Sequence, residues 1–156
     1  MGGSKYGWLI EFDLEAGTNK LHVSDEKHHE DQNAVCYSKQ NTNHVFSGGD
    51  NGMVTCWDSR LFGSRESPVG HLAGHTEGIT YIDTADDGYT ILTNCKDQTI
   101  KLWDIRMFTK EGAAKRFERE AVENGNDWDY RYNFLPHKYA NPNIVVKEGL
   151  NRFIYK

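Results

Sequence analysis

The chain of 156 residues has little proline, with three residues, and only three cysteines, Cys36, Cys56 and Cys95. An odd count without a CxxC spacing argues against a disulfide framework and against a thiolate metal site. Small buried thiols in a reducing compartment are expected instead. No hydrophobic run approaches the 18 or so residues of a membrane-spanning helix, which excludes that class of membrane protein. The opening Met1-Gly2-Gly3-Ser4-Lys5-Tyr6-Gly7 lacks a basic stretch leading into an apolar core, so no secretory leader is expected and the chain reads as intracellular, in nucleus or cytoplasm or both. Excess positive charge is missing too: 18 Lys and Arg stand against 23 Asp and Glu, a formal net charge of −5. Nucleic acid is therefore not an expected partner. P-loop, nucleophile-elbow and dinucleotide fingerprints are all absent, so neither a cofactor nor an enzymatic activity is expected.

What the chain does have is glycine, 15 residues of it, with four tryptophans and eight tyrosines, a strand-and-turn composition rather than a disordered one. Charge is uneven. Residues 1–106 carry 9 basic and 16 acidic side chains, while 107–156 carry 9 and 7, so the sign changes near Arg106.

Self-comparison is the strongest signal. Ser47-Gly-Gly-Asp-Asn-Gly-Met-Val-Thr-Cys-Trp-Asp-Ser-Arg60 aligns with Thr93-Asn-Cys-Lys-Asp-Gln-Thr-Ile-Lys-Leu-Trp-Asp-Ile-Arg106 at an offset of 46, which also carries His29 onto His75. A weaker third copy lies at the N-terminus, offset by 45, with Phe12-Asp13 in the Trp-Asp position and Glu15 in place of arginine. Within the copies, Val54 and Cys56, like Ile100 and Leu102, alternate with unlike neighbours, the period of two of a strand. Asp50-Asn51-Gly52 and Asp86-Asp87-Gly88 mark tight turns. Ile79–Ile82 and Tyr89–Leu92 read as further strands and Val69–Leu72 as an outer one. Four short strands in about 45 residues is the arithmetic of one propeller blade.

Gly74-His75 followed 28 residues later by Trp103-Asp104 resembles a repeat of the WD-type β-propeller family. The resemblance implies an all-β fold: a partial WD-repeat propeller of two full blades plus part of a third, with a short helix and irregular C-terminal segment. The repeats divide as a half-repeat over 1–19, repeats over 20–60 and 69–106, and a basic helix-plus-loop insertion or truncated next blade over 107–156. It also implies a structural tetrad of His75, Thr93, Asp97 and Trp103, in which buried polar groups satisfy one another. The preceding copy offers His29, Ser47, Asn51 and Trp57, where the Asn51 amide is expected to accept the imidazole hydrogen bond without charge assistance. Propellers close with typically four to eight blades, roughly 180 residues or more, so an arc that is a fragment of a larger ring is expected.

Both full copies end in Trp-Asp-x-Arg, at Trp57-Asp58-Ser59-Arg60 and Trp103-Asp104-Ile105-Arg106. This pattern resembles that of the cullin-4-associated WD-repeat factors. The resemblance implies a substrate receptor: Asp58, Arg60, Asp104 and Arg106 contact damaged-DNA-binding protein 1, the adaptor of the cullin-4 RING ubiquitin ligase, and another surface presents a client protein for proteasomal degradation. From chemistry alone two readings of the arginines stand. Their planar forks suit an interface, and they suit equally a pairing with Asp58 and Asp104 that contributes little. The alternatives to the receptor are a generic WD-repeat scaffold in another complex, for example in RNA processing, and a nonfunctional truncated product.

Beyond Phe108 the repeat stops. Thr109 is expected to cap a helix running to about Glu123, with Ala113, Phe117 and Ala121 as one narrow apolar stripe. Trp128-Asp129-Tyr130-Arg131 lacks the preceding turn and strand and reads as a loop. His71 and His75, four apart, lie in strand and turn rather than on one helix face, so no metal site is expected there.

Overall fold

A computed structural model describes residues 2–3, 7–23, 31–62 and 68–109; the expected helix, the 128–131 loop and His29 lie outside the described residues. Ten strands run in chain order: β1 (Gly2–Gly3), β2 (Trp8–Asp13), β3 (Thr18–Val23), β4 (Gln32–Tyr37), β5 (His44–Gly49), β6 (Met53–Asp58), β7 (Gly70–Ala73), β8 (Ile79–Thr84), β9 (Thr90–Cys95) and β10 (Ile100–Asp104). They form three antiparallel sheets, β1-β2-β3, β4-β5-β6-β7 and β8-β9-β10, here called the first, second and third blades. The arc is that of a partial propeller.

The strands fall differently among the sheets than the repeats suggest. β7, which covers most of the segment read as the outer strand of the second full copy, pairs with β6, as Val54 opposite Leu72 and Cys56 opposite Gly70. The sequence repeat is thus one strand out of phase with the blade. Among the described residues there is one four-stranded sheet between two three-stranded ones.

Alternation along each strand decides which blade it packs against. On β5, Val45 joins Leu9 and Trp57 in a small cluster between the first and second blades. Phe46, one residue on, points the other way. It joins Val54, Cys56, Leu72, Ile79, Ile82, Ile91 and Trp103 in the larger core between the second and third. Trp57 and Trp103 therefore each face the preceding blade. The blades approach closely at Gly48, where an added Cβ would meet Ile79 Cγ2 at 2.8 Å. The inner strands β4 and β8 pack side by side, and both carry a register shift near their start, between Gln32 and Ala34 and between Ile79 and Tyr81.

Polar contacts link the blades at the rims. Lys96 Nζ reaches Asp50 Oδ1 at 2.7 Å, joining two equivalent turns, and Tyr37 donates its hydroxyl to Glu11 at 3.0 Å. Burial, with the Glu11 carboxylate second, pushes the Tyr37 phenol up to about 12. All three cysteines are free; Cys56 and Cys95 are buried and Cys36 half-buried. Burial pushes the Cys56 thiol up to about 12 and raises those of Cys36 and Cys95, so none is poised as a nucleophile. Among the described residues no helix is long and apolar enough to cross a membrane.

Candidate functional site: the stapled blade and the arginine rim

The structure brings His75, Thr93, Asp97 and Trp103 together in the third blade. The Trp103 indole N–H donates to Thr93 Oγ1 at 2.8 Å, and Thr93 Oγ1 lies 2.7 Å from His75 Nε2. His75 Nδ1 lies 2.8 Å from Asp97 Oδ2. Every atom here is buried. The network assigns the proton positions: a neutral imidazole carrying its hydrogen on Nδ1 receives the threonine proton on Nε2 and gives its own to the carboxylate. All donors then point one way, from indole to carboxylate, the arrangement in which successive bonds polarise each other. The imidazole and indole rings meet edge to face at 5.7 Å.

Asp97 holds the end of this chain. Its Oδ1 accepts Thr99 N–H at 3.0 Å and the Thr99 hydroxyl at 2.6 Å, while Oδ2 takes His75 and a longer bond from Thr76 N–H at 3.3 Å. Burial opposes its charge, yet the His75 bond, the nearby Lys101 and the Thr99 hydroxyl together hold its carboxyl below the usual range. Burial also lowers the pKa of His75, keeping the ring neutral. Lys101 meanwhile donates to the Gly74 carbonyl.

The second blade keeps the first link and the turn bond. Trp57 donates to Ser47 Oγ at 2.9 Å, and Asn51 Oδ1 accepts Met53 N–H at 3.1 Å, the counterpart of the Asp97–Thr99 bond. Asn51 was expected to accept from an imidazole. Its oxygen faces the turn, and the His29 end of that network lies outside the described residues. In the first blade, Phe12 at the tryptophan position is 54% exposed, and so is no equivalent of a buried indole.

His75, Cys95 and Asp97 have ligating atoms close enough to one another to hold an ion. Both imidazole nitrogens and both carboxylate oxygens are already bonded, and the Cys95 thiol, raised by burial, donates to the Glu77 carbonyl at 3.0 Å. The donor set belongs to the staple. His71 turns to Thr55, with Nδ1 3.2 Å from its hydroxyl, so the two histidines four apart serve different neighbours. Thr109, expected as a helix cap, accepts Ala73 N–H at 2.9 Å on its hydroxyl and pairs with His71.

The two Trp-Asp-x-Arg segments make the same fork. Asp58 Oδ1 accepts Arg60 N–H at 3.0 Å and Arg60 Nε–H at 2.9 Å, with Nη2 on Oδ2 at 2.6 Å. In the third blade Asp104 Oδ1 accepts Arg106 N–H and Nε–H, both at 2.9 Å, with Nη2 on Oδ2 at 2.5 Å. Asp13 makes the same turn without an arginine, accepting Glu15 N–H and Ala16 N–H at 3.0 Å. The aspartate is thus first a turn-former and second a clamp on the guanidinium. Hydrogen bonds from Arg60 draw the Asp58 carboxyl down to about 2, and those from Arg106 lower Asp104. The arginine side chains nevertheless stay 66% and 65% exposed.

Tyr89 was not singled out by its sequence position. Its ring lies under Arg106, with Cζ 4.1 Å from the ring centroid. The only signal for it was strand register: Thr90 stands opposite Asp104, which carries Tyr89 to the start of the loop holding Arg106.

Antiparallel blades repeated at one spacing, with indole, hydroxyl and carboxylate locked inside, define a β-propeller repeat protein. Residues 20–58 and 66–104, together half of the chain, each match the family described as WD domain, G-beta repeat, and the chain belongs to that family. It is 36% identical over 142 residues to a DDB1- and CUL4-associated factor 11 homolog of Caenorhabditis briggsae, covering 90% of this chain and 25% of that protein. The Caenorhabditis elegans protein of the same name is 34% identical over 142 residues, covering 90% of this chain and 24% of that protein. A LEC14B protein of Lithospermum erythrorhizon is 39% identical over 81% of this chain and 25% of its own. The chain therefore spans about a quarter of the length of these relatives. An aligned stretch of 142 residues is longer than the repeat region, so the similarity continues into 107–156.

Proposed function

We propose that the chain is part of a non-enzymatic substrate receptor of the cullin-4 RING ubiquitin ligase, docking on damaged-DNA-binding protein 1 through the forks at Asp58–Arg60 and Asp104–Arg106 and serving ubiquitin-dependent degradation of a client protein inside the cell. The observation that carries the reading is the duplication of the fork: two guanidiniums on consecutive blades, each held by side-chain bonds to both oxygens of its own carboxylate, each about two-thirds exposed. A fork held in one rotamer loses less freedom on meeting a carbonyl or carboxylate, and arginine is a frequent anchor of interfaces. The names of the two nematode relatives support the same reading. Exposed i,i+2 pairs contribute little to stability, so their repetition is better explained by what they present than by what they hold together.

The test is co-purification of the tagged chain with the adaptor. Arg60→Ala combined with Arg106→Ala is expected to abolish capture while the urea midpoint stays within experimental error. Capture equal to the parent's would refute the interface, and capture of a different stable complex by both proteins would favour a scaffold whose arginines are incidental.

A further inference from the structure

The two forks stand on the same backbone. The Asn43 carbonyl accepts Ser59 N–H at 2.8 Å in the second blade, and the Tyr89 carbonyl accepts Ile105 N–H at 2.9 Å in the third. The turns before them match as well: Asn41 Oδ1 takes Asn43 N–H at 3.2 Å, and Asp87 Oδ1 takes Tyr89 N–H at 3.0 Å and Thr90 N–H at 2.8 Å. Arg60 and Arg106 share exposure, rotamer clamp and position in the repeat. Among the described residues only Arg106 has a ring against it. The repeat offset puts Asn43 where the third blade has Tyr89.

From this difference we infer that Tyr89 is a positioning residue for Arg106, and that the Tyr89–Asp104–Arg106 platform of the third blade is the principal anchor of the rim, taking a partner segment that offers backbone carbonyls or a carboxylate, with Arg60 secondary. The inference rests on the rim being the docking face. The physical argument is restriction from two directions. Asp104 holds the Nε–Nη2 edge, and the Tyr89 ring holds one face at cation–π distance. The remaining edge and the opposite face are left to a partner in a fixed orientation. Among the described residues Arg60 is held along one edge, so its plane can swing and more freedom is lost on binding. A carboxylate or carbonyl meeting a guanidinium fork gains most when the plane is already set. Asp87, bonded also to the Thr90 hydroxyl at 2.6 Å, fixes the turn from which the ring projects.

The experiment measures affinity of the full chain for damaged-DNA-binding protein 1. Arg106→Ala is expected to weaken binding at least tenfold more than Arg60→Ala. Tyr89→Ala weakens it about tenfold, and Tyr89→Phe, which keeps the ring, restores it to within about threefold of the parent. Asn43→Tyr supplies the second blade with the missing ring and tightens binding several-fold, which keeps the proposal testable if Tyr89→Ala fails to fold. Loss of binding in the double arginine variant, together with Arg60→Ala as damaging as Arg106→Ala, or with no response to Asn43→Tyr and Tyr89→Ala, overturns the ranking and leaves the docking face standing. Unchanged binding in the double arginine variant overturns both.

Discussion

The second and third blades are the same sentence written with one different word. Both place a hydroxyl under an indole, at 2.9 Å for Ser47 and Trp57 and 2.8 Å for Thr93 and Trp103, and both end the turn with a side-chain oxygen on a backbone N–H. The difference lies in the second oxygen. Asp97 has one to spare and uses it on His75; Asn51 has an NH2 group in its place, which cannot accept. A carboxylate can therefore close the turn with one oxygen and end the buried chain with the other, charge-assisted, whereas an amide has a single oxygen to serve both bonds.

The largest expected effect follows from removing that doubly used group. Asp97→Ala strands the His75 Nδ1–H and takes the acceptor from Thr99 and Thr76, at an expected cost of about 1–3 kcal/mol for each buried donor left unpaired. Among the described residues Asn51→Ala removes the turn bond to Met53, and it should cost about 1–2 kcal/mol. Urea midpoints of the two variants give the comparison directly. Equal losses would mean that both blades are stapled alike.

A second expectation uses pH. His75 is neutral in the folded chain with a lowered pKa because it is buried, whereas in the unfolded chain it titrates near its ordinary 6.5. Below that value the unfolded state binds the extra proton, so stability is full above about pH 6.5 and falls as pH drops, at up to about 1.4 kcal/mol per pH unit for one such group. Asp97, also lowered, contributes in the same direction, but only near and below its ordinary carboxylate range of 3.8. Midpoints between pH 7.5 and 5.5 should therefore fall for the parent and flatten for His75→Gln. A slope unchanged in that variant would place the titrating group elsewhere.

Much of this is legible in the amino-acid sequence. The tetrad of the third blade could be read because its members are polar residues at wide, fixed spacings, which a repeat can align, and because tryptophan and histidine are rare enough to mark a register. Sheet membership could not be read. β7 belongs to the second blade although its residues fall within the next repeat, because hydrogen bonding to β6 depends on where the chain returns rather than on its period. Phe12 shows the limit of pattern matching: it sits at the tryptophan position by offset and is exposed, since that position packs on the preceding blade and the described residues hold none before the first. Tyr89 was hidden for a related reason. Its partner Arg106 is 17 residues away, and only the pairing of β9 with β10 makes them neighbours.

The smallest expected effect concerns the turn that differs least. Gly52 and Gln98 occupy equivalent positions, and both take positive φ, 71° and 60°. Glycine adopts that region without a Cβ clash, whereas glutamine is strained there. In the second blade the glycine is needed twice over, because a Cβ at Gly52 would also stand 2.8 Å from the His75 carbonyl. Gln98→Gly relieves the strain but gives the unfolded chain more freedom to lose. The two oppose each other, and the left-handed penalty of about 1–2 kcal/mol exceeds the glycine entropy of about 0.5–1 kcal/mol. A net gain of roughly 0.5–1 kcal/mol should raise the urea midpoint without changing the slope. Gly52→Ala should lower it by more than that gain. If Gln98→Gly instead destabilised the chain, the glutamine side chain would be contributing more than its backbone strain costs, and the third blade's turn would be held by its side chain rather than merely tolerating it.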